Sequence, residues 1–567
     1  MKLSIRFFAF NQAAVILIAV FSAFGQTARP DLNRSQTYDV QHYVIRTSFD
    51  PTAKRVMGDT TVSLKPLNPN FKVVELDAVD LTFTSVALDP SGTRLDHRST
   101  AGKVIVTLDR AYSPDELISI RFRYTATPKK GVYFVPAEEG PQGRGHSAQI
   151  WTQGEPDEAR HWFPSFDFPS DKATTEQYLT VQKDETVVGN GELVGRQEQS
   201  DGTVTWHYKM PVPHSTYLTS FVIGKYSRAE DKYKDIPLGF YVYPGMERVV
   251  PKAFGETKDM MRVFEEQTGV AFPYNKYDQT IVALFQFGGM ENISATTMAD
   301  NEIFLAEFDF GRGPIRDLVS HELAHSWFGN LVTCRNWAEL WLNEGFATFM
   351  EAVYVEKTAG RGEYLTKIRS DAAEFLVDDS INKRRHALYN VRAVDVSSLF
   401  LNASTTYHKG GAVIHTLREE VGDGPFWKAI NIYLNRHKFA NVESTDLRKA
   451  MEEASGKDLK WFFDQWVYGA GAPRLDIRQV YNRRAKKLTI TVSQTHRIDP
   501  ITPAVFRLPM DVTIKGTGEQ ADHVLDISKR VQTFTLDFPV RPASLEIDPK
   551  ERIPLKQVKL RPLVSLR

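Results

Sequence analysis

The chain is predicted to be a multidomain α+β protein, β-rich at both ends and helical in the middle. Three observations predict this. Apolar and polar residues alternate with period two from about residue 36 to 227, helical periods take over from about 228, and alternation returns after Pro473. At 567 residues the chain is long enough for several domains, each with a core of its own. Its 70 Lys+Arg balance 70 Asp+Glu, so no general attraction to nucleic acid or anionic lipid is expected.

Residues 1–25 read as a secretory signal. Lys2 and Arg6 supply the positive start, Ala13 to Phe21 the apolar run, and Ala23-Phe24-Gly25 a small-residue cleavage site. Asn11 and Gln12 interrupt the run, leaving it shorter than the roughly 20 residues of a membrane span. An exported protein, periplasmic or secreted, with no integral membrane segment after cleavage is therefore expected. Cys334 is the only cysteine, so there is no internal disulfide, and it reads as a buried bystander.

Residues 26–227 read as a β-domain. Ile118, Ile120, Phe122 and Tyr124 alternate with polar residues, as do Val204, Trp206, Tyr208 and Met210, and Asp201-Gly202 marks a hairpin. The stretch from Trp151 to Pro169 is too rich in proline and charge for a plain strand. In residues 228–472, Val249 to Thr268 reads as one helix and Thr280 to Phe285 as a short strand leading into Gly288-Gly289-Met290-Glu291-Asn292. Tyr407-His-Lys-Gly410-Gly411 opens a later helix, and Gly469 to Pro473 is a natural boundary. Residues 473–567 carry short strands, including Leu488-Ile490-Val492 and Phe534-Leu536-Phe538, and read as a β-sandwich.

The chemistry centres on His321-Glu322-Leu-Ala-His325. On a helix, positions four apart lie on one face, so His321 and His325 can present two imidazoles to one metal, with Glu322 rotated beside them. Pro314 suits the first turn of that helix and Gly329-Asn330 its stop. With 14 His, a chance match is expected roughly once in fifty such chains. A second helix, Trp337 to Ala359, carries Glu344, and a tight antiparallel return would bring this carboxylate to the two imidazoles. Two imidazoles and one carboxylate, with a fourth position open, form a catalytic zinc arrangement. The alternative with a third His is excluded, because Phe328 and Leu331 stand where it needs Gly and His.

With these motifs in place, the chain resembles the M1 family of zinc aminopeptidases, the gluzincins that include aminopeptidase N and leukotriene A4 hydrolase. The matching stretches run in order: Thr152-Gln153-Gly154-Glu155 to Pro169, Gly288 to Asn292, His321 to Glu344, Tyr407-x-Lys-Gly410, and Trp466 to Pro473. The resemblance implies a saddle-shaped β-domain, a thermolysin-like catalytic domain and a β-sandwich, in a short form without the helical C-terminal domain and with a more open site. It implies one Zn2+ per chain on His321, His325 and Glu344, Glu322 as general base towards a metal-activated water, and Tyr407 as donor to the oxyanion. Glu291 and Glu155 match the carboxylates that bind a peptide's free α-ammonium. Gly288 and Gly289 permit close backbone approach to an extended peptide, and Phe287 and Gln153 are placed to line the pocket for the first side chain. Glu351, two turns after Glu344, reads either as a partner of a ligand histidine or as a surface carboxylate.

Ser165 and Phe168 depart from the Cys and Glu of many members, in a segment read as structural. An epoxide hydrolase side activity is not expected without the helical domain. The function implied is removal of N-terminal residues from peptides with a free N-terminus. A thermolysin-like endopeptidase is the alternative, which would not need Glu291 and Glu155. An inactive peptide-binding scaffold would lack an essential residue, and none is missing here.

Overall fold

The structure, a computed structural model, describes residues 32, 34–140, 145–382, 384–393, 396–400 and 402–566. The expected signal segment, 1–25, lies outside the described residues.

The first region is β-rich. Its largest sheet has seven strands, in the order Glu192–Glu198, Thr203–His214, Ala173–Gln182, Tyr38–Asp50, Arg55–Pro66, Ile118–Ala126 and Leu81–Leu88. Only Tyr38–Asp50 and Ala173–Gln182 pair in parallel. Alternation sets the register of burial: Ile118, Ile120, Phe122 and Tyr124 are buried, while the residues between them are not. The inward rows join Trp162, Phe163 and Phe166 in a core of this region's own. The 151–169 stretch begins in the strand Gln149–Thr152 and then turns through a short 3-10 helix, Ala159–His161.

The middle region opens with a five-stranded sheet, in the order Ser227–Tyr233, Ile236–Val242, Tyr277–Val282, Ala295–Ala299 and Gly289–Met290. Helices pack behind it. Two expectations need correction. Val249 to Thr268 is not one helix: a short turn of helix, Val250–Ala253, is separated from Thr257–Thr268 at Phe254-Gly255-Glu256. The short strand runs Tyr277–Val282 rather than Thr280 to Phe285, because Ala283 and Phe285 turn away to meet Trp151.

After Pro473 the strands form two sheets. One of five contains Arg474–Asn482 and Lys487–Gln494; one of three centres on Leu508–Gly516. Their facing side chains, including Leu488, Ile490, Leu508 and Met510, merge with the core of the middle region.

The first region is tied to the middle one by buried polar contacts. Asn190 Nδ2 donates to the Ile293 carbonyl at 2.9 Å and the Gly191 amide to Ser294 Oγ at 2.8 Å. Lys172 Nζ donates to the carbonyls of Asn330 and Leu331 at 3.1 and 3.3 Å, and burial pushes its pKa down to about 7. Among the described residues, no helix is long and apolar enough to cross a membrane.

Candidate active site

Three consecutive helices build the site. The first, Arg312–Ala324, carries His321 and Glu322; the second, Trp341–Ala359, carries Glu344 and Glu351; the third is Arg361–Ile381. The first helix ends sooner than Gly329-Asn330. His325 is its C-terminal cap, and Gly329, at φ +127°, reverses the chain. A side chain at Gly329 would press on His325 Nδ1 at 3.0 Å, so glycine also leaves room for the His325 ring. The second helix begins at Trp341, because Trp337–Glu339 winds as a 3-10 turn capped by the Asn336 side chain.

The return brings the expected ligands together. Glu344 Oε2 lies 3.2 Å from His321 Nε2 and 3.4 Å from His325 Nε2. A metal held at about 2.0–2.1 Å from tetrahedral donors has donor–donor edges of about 3.3–3.4 Å. The residues present therefore fit a zinc ion. The outer nitrogens fit as well: His321 Nδ1 meets Glu351 Oε1 at 2.7 Å, and His325 Nδ1 meets the Phe328 carbonyl at 2.8 Å. A proton kept on each Nδ1 would leave both Nε2 lone pairs free for an ion. Glu351 is held in turn by Lys367 at 2.7 Å, which also reaches Asp317 at 3.3 Å.

Burial drives the electrostatics. It would lower the His321 pKa, but Glu344 and Glu351, accepting hydrogen bonds from the ring, outweigh it and raise that pKa to about 9. Burial opposes ionisation of Glu344 too, yet His325 and His321 hold it down at about 2. Glu322, buried and only partly offset by the two histidines, is pushed up to about 8.

Gly289 explains how Glu322 fits. A Cβ there would stand 2.3 Å from Glu322 Oε1, so the missing side chain makes room for the carboxylate. Gly289–Met290 is the outermost strand of its sheet, leaving one backbone edge facing the cavity. Gly288 faces Leu318, 3.1 Å from where its Cβ would stand.

Tyr407 sits on a π-helical turn, Thr405–Lys409, that runs into the helix Gly410–Val421. Such turns re-aim side chains at functional sites. Gly410 and Gly345 make the approach possible: a Cβ on Gly410 would lie 2.8 Å from the Cα of Gly345, the residue after Glu344. The Tyr407 ring stacks on His321 at 5.8 Å, and burial holds its hydroxyl well above the usual phenol range.

Glu155 arrives from the β-rich region and Glu291 from the sheet. Oxygens of Glu155, Glu291 and Glu344 lie within 4.8 Å of one another, and so do the donor atoms of Glu291, Glu322 and His325. Both extra carboxylates are buried, which raises the pKa of each; Glu155 Oε1 has no hydrogen-bond partner. All these groups line one cavity of about 370 Å³. Gln153 Nε2 touches Met290 Sδ at 3.2 Å, and Phe287 packs between Phe285 and Phe400, each at 5.9 Å.

Sequence reasoning missed three residues. Tyr217, whose hydroxyl lies 3.5 Å from Glu291 Oε1 and 3.4 Å from the Gly329 carbonyl, belongs to no short motif. Lys367 comes from the third helix and Phe400 from the bend after the short helix Val396–Leu399, and no local pattern states how either lies against the helix of His321. Cys334 is buried, and burial raises its thiol pKa, which suits an inert side chain.

Residues 39–218 match the model of the peptidase M1 N-terminal domain, and residues 252–466 match that of the peptidase family M1 domain. The chain belongs to peptidase family M1. Among curated M1 relatives, it is 27% identical to a probable aminopeptidase 2 of Sulfurisphaera tokodaii, over 80% of this chain and 56% of that protein. It is 33% identical to aminopeptidase N of Streptomyces lividans, over 57% of this chain and 38% of the relative. Bovine glutamyl aminopeptidase is 30% identical over 66% of this chain and 39% of its own length. The chain thus spans about half the length, or less, of the M1 relatives it matches.

Proposed function

We propose that this chain is a zinc-dependent aminopeptidase, which hydrolyses the first peptide bond of substrates with a free N-terminus. One observation carries the reading. Glu155 and Glu291 place two buried carboxylates within 4.8 Å of each other and of Glu344. Lys367, the one lysine or arginine among the described residues lining the cavity, is engaged by Glu351 and Asp317. Burial opposes the ionisation of both Glu155 and Glu291, so a cation seated beside them is what would hold them as carboxylates. A peptide's α-ammonium supplies one, and it is the feature that distinguishes the first residue from every later one.

His321, His325 and Glu344 would hold the zinc ion, which when bound supplies Lewis-acid polarisation of the scissile carbonyl and of water. The chain's own groups do the rest. Glu155 and Glu291 hold the ammonium and fix the first residue, with Gln153 and Phe287 beside its side chain. Glu322 accepts the proton of the attacking water and returns it to the leaving amine, held beside the metal-binding face by its place on the helix next to His321. Tyr407, kept protonated by burial, donates its O–H to the carbonyl oxygen as negative charge develops there. Glu351 keeps the His321 ring in the tautomer that faces the metal. Export through residues 1–25 is part of the proposal.

The test is a panel of single-residue aminoacyl chromogenic substrates, assayed with and without chelator. Cleavage is expected, with loss under chelation and recovery on adding zinc, while helical circular dichroism persists because the core does not depend on the ion. No cleavage of any aminoacyl reporter by the zinc-loaded protein would overturn the reading.

A further inference from the structure

The third site helix, Arg361–Ile381, reaches beyond the cavity already described. Its first half faces that cavity through Lys367 and Asp371. Its second half lines a neighbouring groove of about 540 Å³ with Ala373, Val377, Ile381, Glu374 and Asp378. The two depressions share a wall, Ala403 and Ser404, and Ser404 Oγ pins that wall to the helix by donating to Asp378 Oδ2 at 2.6 Å. Val377 and Ile381 are 63% and 73% exposed, an apolar pair on an otherwise polar helix face.

We propose that this groove receives the substrate's own downstream residues, with an apolar side chain about four to six positions past the cleaved bond seated on Val377 and Ile381. The inference rests on the aminopeptidase reading, which fixes the direction of the peptide. With the ammonium at Glu155 and Glu291 and the scissile carbonyl at Tyr407, the chain must leave on the side away from the acidic pair. The third helix belongs to that other side: its Lys367 meets Glu351, the partner of His321, and Ser404 precedes the Tyr407 turn, whereas the acidic pair groups with Glu344, Glu322 and His325.

Distance supports the register. A helix rises about 1.5 Å per residue, so Val377 and Ile381 lie roughly 15 and 21 Å along the axis from Lys367. An extended peptide advances about 3.4 Å per residue and covers that span in four to six residues. Glu374 and Asp378 line the same groove, so basic residues are favoured over acidic ones beside them.

The test compares decapeptides carrying Leu or Ser at positions five to seven, in the wild type and in Val377→Gln/Ile381→Gln. Both replaced side chains are exposed, so the fold is preserved, and equal cleavage of a single-residue chromogenic substrate checks this. The wild type is expected to show kcat/KM on the order of ten-fold higher for the Leu decapeptide, and the double variant to lose that preference. An unchanged Leu/Ser ratio in the variant, or no preference in the wild type, would overturn the groove. Should the single-residue substrate resist cleavage, the aminopeptidase reading fails separately. Calorimetric titration of Glu322→Gln protein with the Leu decapeptide then decides the groove alone. Weaker binding after the two further substitutions supports it, and equal binding overturns it.

Discussion

At the scale of single residues, the proposed mechanism has Glu322 and Tyr407 act at different moments. Glu322→Gln keeps volume and removes the proton acceptor, so kcat should fall by several orders of magnitude with the metal still bound. Tyr407→Phe removes a donor whose bond strengthens as the oxyanion forms, a loss of about 3–4 kcal/mol, or roughly 10²–10³ in kcat. Steady-state kinetics beside metal analysis separates these effects, and near-wild-type turnover by Tyr407→Phe would remove its role. Gly289 offers a subtler case. Since its absent Cβ leaves room for Glu322, Gly289→Ala should displace that carboxylate and lower kcat at least ten-fold, as a roughly 1 Å misplacement does. Circular dichroism should stay unchanged, and full activity in this variant would show that the carboxylate has another place to go.

At the scale of elements, much of the site was legible because it is periodic or local. His321 and His325 follow helical spacing, and Glu344 lies where an antiparallel return delivers it. What resisted reading was set by long-range packing. The first helix stops at Ala324 because the chain must turn at Gly329, and Tyr407 owes its aim to a π turn and the Gly345–Gly410 approach. Tyr217 and Lys367 reach the site from elements that no local pattern places there. Glu351 had two readings, and its 2.7 Å contact with His321 favours the supporting one. Glu351→Gln should therefore weaken zinc affinity by about 10- to 100-fold, measured by competition with a chelator. Unchanged affinity would make Glu351 a bystander.

At the scale of the whole molecule, the β-rich ends frame the middle region. The first region sends in Glu155 and Tyr217, and the last is joined through His415. That ring accepts from the Tyr364 hydroxyl at 2.7 Å and donates to the Glu551 carbonyl at 2.9 Å, so both nitrogens are committed in the neutral form. Burial drives its pKa down to about 3. Above pH about 6.5 the ring is neutral whether folded or unfolded, and its full contribution is present. Between about 6.5 and 3 only the unfolded chain takes the proton, so stability falls by about 1.4 kcal/mol per pH unit. Denaturant midpoints at pH 7 and 5 should show a loss that His415→Gln diminishes; an equal loss in the variant would assign it to other groups.

The central claim is that this metal site is aimed at a free N-terminus by the paired carboxylates Glu155 and Glu291. The most direct measurement compares one peptide with its N-acetylated form, for the wild type and for Glu291→Ala. The wild type should cleave the free peptide at its first bond and leave the blocked one almost untouched. Glu291→Ala should lose about 2–5 kcal/mol on the free peptide, roughly 30-fold to several thousand-fold in kcat/KM, and gain nothing on the blocked one. Efficient cleavage of the blocked peptide at internal bonds, indifferent to Glu291→Ala, would contradict the account and make the protein an endopeptidase built on the same metal site.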